Sequence, residues 1–123
     1  MHPNAVLARD DALYVGGVGA DMQDLGPGKF GSIARIDYEQ KTTQTVAGSE
    51  NLATWDGLVP FKEGFLGSSP ATGEIWYVAN GKNVLVANLS PGISDFGWDA
   101  DQQIMYVPHL PEGKVIAYKI SLR

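Results

Sequence analysis

Three apolar stretches of this chain open on a polar side chain: Asn4 in PNAVLARDDALYVGG, Asp56 in WDGLVPFKEGFLG and Asp95 in SDFGWDADQQIMYVP. Taken singly, an Asn or Asp at a strand end bonds nearby backbone amides and fixes a turn. Taken together, oxygens converging from distant segments would be hard donors of the kind a cation such as Ca²⁺ prefers. The two readings differ in whether the fold brings these positions together. Other chemistries find less support. The chain has no cysteine, which excludes disulfides, thiolate metal sites and thiol nucleophiles. Ser68 lies in no G-x-S-x-G elbow and has no evident triad partner. The glycines before Lys29 lack the P-loop offset, and Asp99-Ala100-Asp101 lacks the Gly and Glu of an EF-hand loop. His109, in VPHLPEG, would serve as an acid or base if it faced a shared site, and is a loop residue otherwise.

Positioning such residues falls to short strands. The 15 Gly and 7 Pro interrupt the chain every few residues, and no window of a dozen keeps a 3.6-residue apolar period. Runs of β-branched and aromatic residues bounded by Gly, Asp, Asn or Pro recur instead: 12–18, 32–37, 42–46, 57–61, 65–68, 74–79, 83–88, 104–108 and 114–120. The reading is all-β. Superposing the three opening stretches puts Asn4, Asp56 and Asp95 in one column and Leu13, Phe65 and Ile104 in another. A unit of forty to fifty residues made of four short strands is the size of a propeller blade. The longer first unit is accounted for by an inserted loop over 20–30, rich in turn formers.

A single domain is expected over residues 1–123, in blades of approximately 3–49, 50–91 and 92–123. The last is expected to lack its outer strand, because the chain stops just after KVIAYKI. Three blades do not close a ring, so both end blades would leave an apolar face needing cover. A formal charge of −5 with scattered Lys and Arg offers no footprint for nucleic acid or an anionic membrane, and fits a cation or a neutral small molecule. Residues 1–20 carry neither a signal-peptide pattern nor a membrane span, and the compartment stays open.

Several segments together resemble the C-terminal half of six-bladed propellers of the SMP-30/gluconolactonase/LRE-like group: Pro3-Asn4 with ALYV after it, GSIARIDYEQKT, Trp55-Asp56-Gly57-Leu58, and DFGWDADQQIMYVPHL with GKVIAYKI. The resemblance implies half of a six-bladed β-propeller and a metal-dependent hydrolase acting on a small lactone or ester once the ring is complete. By the same resemblance Asn4 and Asp56 match metal ligands, Ca²⁺ ahead of Zn²⁺, and Asp56 matches the general base. Asp95, His109 and Trp55 are possible channel or supporting groups, Trp55 by stacking on a ligand beside Asp56. Two departures stand out. No residue matches the family's glutamate ligand, and Ser68-Ser69 replace acidic or aromatic residues after the second strand. A non-catalytic propeller module that binds a ligand or a protein is therefore the alternative. The missing half is expected from a second copy, as a homodimer closing a six-bladed ring, or from the rest of a longer chain.

Overall fold

The computed structural model describes residues 1–122, which form eleven β-strands and one short 3-10 turn, Leu110–Glu112. The strands make three antiparallel sheets, each ordered as in sequence, and they do not close into a barrel. The first holds β1 (Pro3–Ala8), β2 (Ala12–Gly17), β3 (Ile33–Asp37) and β4 (Thr43–Thr45). The second holds β5 (Leu58–Phe61), β6 (Gly64–Ser69), β7 (Glu74–Ala79) and β8 (Lys82–Asn88). The third holds β9 (Gly97–Asp99), β10 (Ile104–His109) and β11 (Lys114–Lys119). The all-β reading stands, and most strands fall within a residue or two of the runs read from sequence. Local turn chemistry explains the tight reversals: Asn80-Gly81, at φ of 53° and 75°, forms the two-residue turn that joins β7 to β8.

Alternation along the strands sorts side chains into layers. Ala5, Ala12, Tyr14 and Ile33 of the first sheet meet Leu58, Phe65 and Val78 of the second, around Trp55. The opposite face of the second sheet, with Phe61, Leu66 and Ile75, meets Phe96, Met105, Val107 and Ile120. The second sheet is thus the middle layer, and all six residues of β6 are buried. Residues such as Leu66 and Ile75, at most 1% exposed, each contribute about 2–3 kcal/mol of apolar burial.

The outer layers have one face packed and one face free. Val6, Leu13, Val15, Ala34 and Ile36 alternate with the packed residues of the first sheet and point away from the middle layer. Ile104, Tyr106, Pro108, Val115 and Ala117 do the same on the third. Val6 at 64%, Tyr106 at 41% and Val115 at 66% exposure are large apolar groups left to solvent.

The column of Leu13, Phe65 and Ile104 keeps its pairing but not its face. Leu13 and Phe65 point the same way along the stack, but Ile104 points the opposite way; Met105 is their counterpart. The cause is the turn between β9 and β10. The pairing register is the same in all three, Ala8↔Leu13, Pro60↔Phe65 and Asp99↔Ile104, but four residues turn between Asp99 and Ile104 where two turn between Phe61 and Gly64.

Candidate functional site

Asn4 and Asp56 hold equivalent places. The β1–β2 ladder slips between Pro3 and Ala5, so Asn4 sits in a bulge just before the pair Ala5↔Gly16. Asp56 likewise precedes Gly57, whose carbonyl accepts the Ser68 amide. A bulge re-aims a side chain out of the sheet alternation, as at Asn4; Asp56 lies just ahead of β5, where its amide donates to the Ser68 carbonyl. The Asn4 amide Nδ2 donates to the Trp55 carbonyl at 3.1 Å, tying the first sheet to the segment that carries Asp56 and leaving Oδ1 as a free acceptor. The Trp55 amide in turn donates to the Gly17 carbonyl at 3.3 Å.

Both residues line one open cleft of about 300 Å³, whose other walls are Val18, Thr54, Pro70, Ala71, Met22 and Leu25. Met22 and Leu25 come from the loop inserted over 20–30, so that loop supplies an apolar wall beside two polar groups. Another cleft of about 330 Å³ lies under the same loop, with Asp21, Asp24, Lys29 and Asn51 among its lining. There Lys29 pairs with Asp24, and neither Asn4 nor Asp56 is part of the lining.

The Asp56 carboxyl is held above the usual carboxylate range. Partial burial is the main cause, the nearby Asp95 charge adds to it, and the Asp95 backbone N–H pulls the other way. Asp95 itself is exposed and lies in an irregular stretch, where Ser94, Asp95 and Phe96 oppose only Val107 and Pro108 between the pairs Ile93↔His109 and Gly97↔Tyr106. Its Oδ1 accepts the Phe96 amide at 2.8 Å. Asp95 therefore stands next to Asp56 as a second negative charge, without lining the cleft.

The remaining sequence candidates go elsewhere. Trp55 is fully buried, wedged against Gly16 and Gly67, where any Cβ would fall within 2.5 Å of its side chain. Its ring belongs to the core and is not placed to stack on a ligand; only its carbonyl serves the site, through Asn4. His109 is 4% exposed, points toward the middle sheet with Met105 and Val107, and shares a 3.0 Å hydrogen bond with the Tyr118 hydroxyl. It packs within the third sheet and is absent from the cleft.

Reasoning from sequence missed the groups that hold the site together. Ser68 and Ser69, both fully buried, face opposite sides of β6. The Ser69 hydroxyl accepts the Thr54 amide at 3.0 Å and meets the Thr54 hydroxyl at 3.1 Å. The Ser68 hydroxyl accepts the Gly57 amide at 2.8 Å and donates to the Ser94 carbonyl at 2.8 Å, clamping the segments that carry Asp56 and Asp95. The signal was the paired serines ending the apolar strand GFLGSS.

As a cation site, the arrangement offers the Asn4 amide oxygen and the Asp56 carboxylate, with Asp95 alongside. These are hard oxygen donors of the right kind for Ca²⁺, but fewer than the six to eight it takes. Among the described residues there is no cluster of three or more His, Cys, Asp or Glu.

Comparison with known proteins gives a fold and nothing more specific. No protein-family model and no curated protein matches the chain. Among solved structures it is similar to the crystal structure of the computationally designed Ika4 protein, with a TM-score of 0.63 and 11% sequence identity over 97% of this chain. The likeness is one of fold alone. The chain spans 66% of the length of that structure.

Proposed function

We propose that the three sheets are three blades of a six-bladed propeller. In this reading Asn4 and Asp56 hold a divalent cation, Ca²⁺ ahead of Zn²⁺, and the completed ring hydrolyses a small lactone or ester. The observation that carries the proposal is the shared cleft: two oxygen-bearing side chains fifty-two residues apart stand at the head of the first strand of adjacent sheets and open onto one space. The resemblance to gluconolactonase-like propellers points the same way. When bound, the cation would polarise the carbonyl of the ester or lactone.

The chain's own residues do the rest. Asp56, the group with the raised pKa, takes the proton of an attacking water, and that proton passes to the departing alkoxide oxygen as the acyl C–O bond breaks. Asn4 fixes the geometry, because its amide nitrogen is already committed to the Trp55 carbonyl. Met22 and Leu25 keep one side of the cleft apolar. The shortage of acidic ligands among the described residues favours the second reading, a propeller module that binds a ligand without turning it over.

Calorimetric titration of Ca²⁺ and Zn²⁺ into the wild type and Asp56→Asn, followed by a hydrolysis screen over small lactones and aryl esters, separates the two. The enzyme reading expects binding that Asp56→Asn abolishes and turnover that a chelator removes. Cation binding with no chelator-sensitive turnover would overturn hydrolysis and leave the binding module.

A further inference from the structure

The two free sheet faces are of the same two kinds that already pack on each other twice inside the chain. Tyr14 of the first sheet points toward the second and meets Phe65, with ring centroids 4.7 Å apart. One layer on, Leu66 occupies the place of Tyr14 and packs in one cluster with Met105, which faces back toward the preceding sheet as Phe65 does. Repeating the step once more makes Tyr106 the next member of the Tyr14–Leu66 series. The series to which Phe65 and Met105 belong begins at Leu13, on the free face of the first sheet. Each chain thus ends in a knob at one side and its matching seat at the other.

We infer that a second copy of this chain covers both faces at once, with Tyr106 of each copy against Leu13 of the other. Ile104 and Pro108 flank the knob, and Val6 flanks the seat, beside Val15, which is only 8% exposed within one chain. Asp99 and Lys119, the cross-strand partners of Ile104, put one charge of each sign at the edge of the knob, so the contact has an apolar centre with a charged rim. Unlike faces on one chain associate head to tail, and such contacts close only if the angle they sweep divides a full turn. Two copies close if each sweeps half a turn, which is where this inference rests on the six-bladed reading above. Closure would also bring both sets of Asn4 and Asp56 to one axis, so the cation site would draw on both chains.

Sedimentation equilibrium of the metal-free chain at micromolar concentration tests this directly. A species of twice the chain mass is expected. Tyr106→Asp, at a position already 41% exposed, should keep its far-ultraviolet circular dichroism and weaken association by at least about 30-fold, the effect of losing one central anchor. Val84→Asp, at an exposed position on β8 in the middle sheet, should leave the pair intact. Because the chain has no cysteine, a Leu13→Cys, Tyr106→Cys double variant treated with a short bis-maleimide should give a covalent dimer and no longer products.

A wild-type monomer, a dimer indifferent to Tyr106→Asp, or a ladder of longer crosslinked species would each overturn the inference. A closed dimer without chelator-sensitive hydrolysis would leave it standing and sink only the enzymatic reading.

Discussion

Ser68→Ala removes one oxygen atom and tests whether the clamp between the second and third sheets holds the inner strands in place. The alanine keeps the backbone and the burial, but strands two partners: the Gly57 amide, in buried surroundings, and the partly exposed Ser94 carbonyl. Leaving a buried amide unsatisfied costs about 1–3 kcal/mol, and losing an ordinary hydrogen bond to a carbonyl that water can still reach costs about 0.5–1.5 kcal/mol. The expected loss is about 2–4 kcal/mol, a sizeable share of the roughly 5–15 kcal/mol that holds a typical domain together. For a chain of this size that corresponds to a fall in Tm on the order of 10 °C. Urea unfolding at fixed protein concentration reads it, since the midpoint should drop while the slope stays constant. A variant within about 0.5 kcal/mol of the wild type would refute the reasoning, because it would mean that neither backbone group depends on the hydroxyl.

Asp56→Asn tests the raised carboxyl. With its folded pKa above the unfolded one, Asp56 costs nothing below the unfolded value and destabilises the fold as pH rises through the folded value. In chelator, Asp56→Asn should therefore match the wild type near pH 3 and exceed it at pH 7, as read from urea midpoints across pH. Added Ca²⁺ should close that gap. Gly57→Ala would place a Cβ 2.5 Å from two Phe96 ring carbons and 3.0 Å from the Asp95 Oδ1, and should destabilise by about 1–3 kcal/mol in the same urea assay. If the cleft takes a substrate, Met22→Ala with Leu25→Ala should raise KM several-fold while kcat changes by less than about twofold, as expected for contacts made equally in ground and transition states.

The strands were legible because their signals are local. In Glu74–Ala79 the two faces alternate between one core and the other, and the Asn80-Gly81 reversal could be read from its dipeptide. The place of Asn4 and Asp56 was legible too, because both hairpins keep the same spacing. The pairing of Ile104 was legible but its face was not, because Gln103, at φ 56°, ends a four-residue turn with no glycine to announce it. The hydroxyls of Ser68 and Ser69 escaped notice because their partners, Ser94 and Thr54, lie 26 and 15 residues away on other segments. Met22 and Leu25 escaped for a related reason: in a loop without periodicity, nothing says which side chains turn inward. Trp55 was misjudged because adjacency to Asp56 in sequence says nothing about direction; successive residues point apart, one into the cleft and one into the core.

The seat of Trp55 gives the molecule a built-in optical probe. Its indole is sealed in the core with no hydrogen-bond partner for Nε1, so its excited state has little polar surroundings to relax against and should emit toward the blue. Its own peptide carbonyl is the group that Asn4 holds. Any ligand that pulls on the Asn4 amide strains the backbone on which this fluorophore is mounted, so with Trp76 and Trp98 replaced by Phe, occupancy of the cleft could be followed by light without a label.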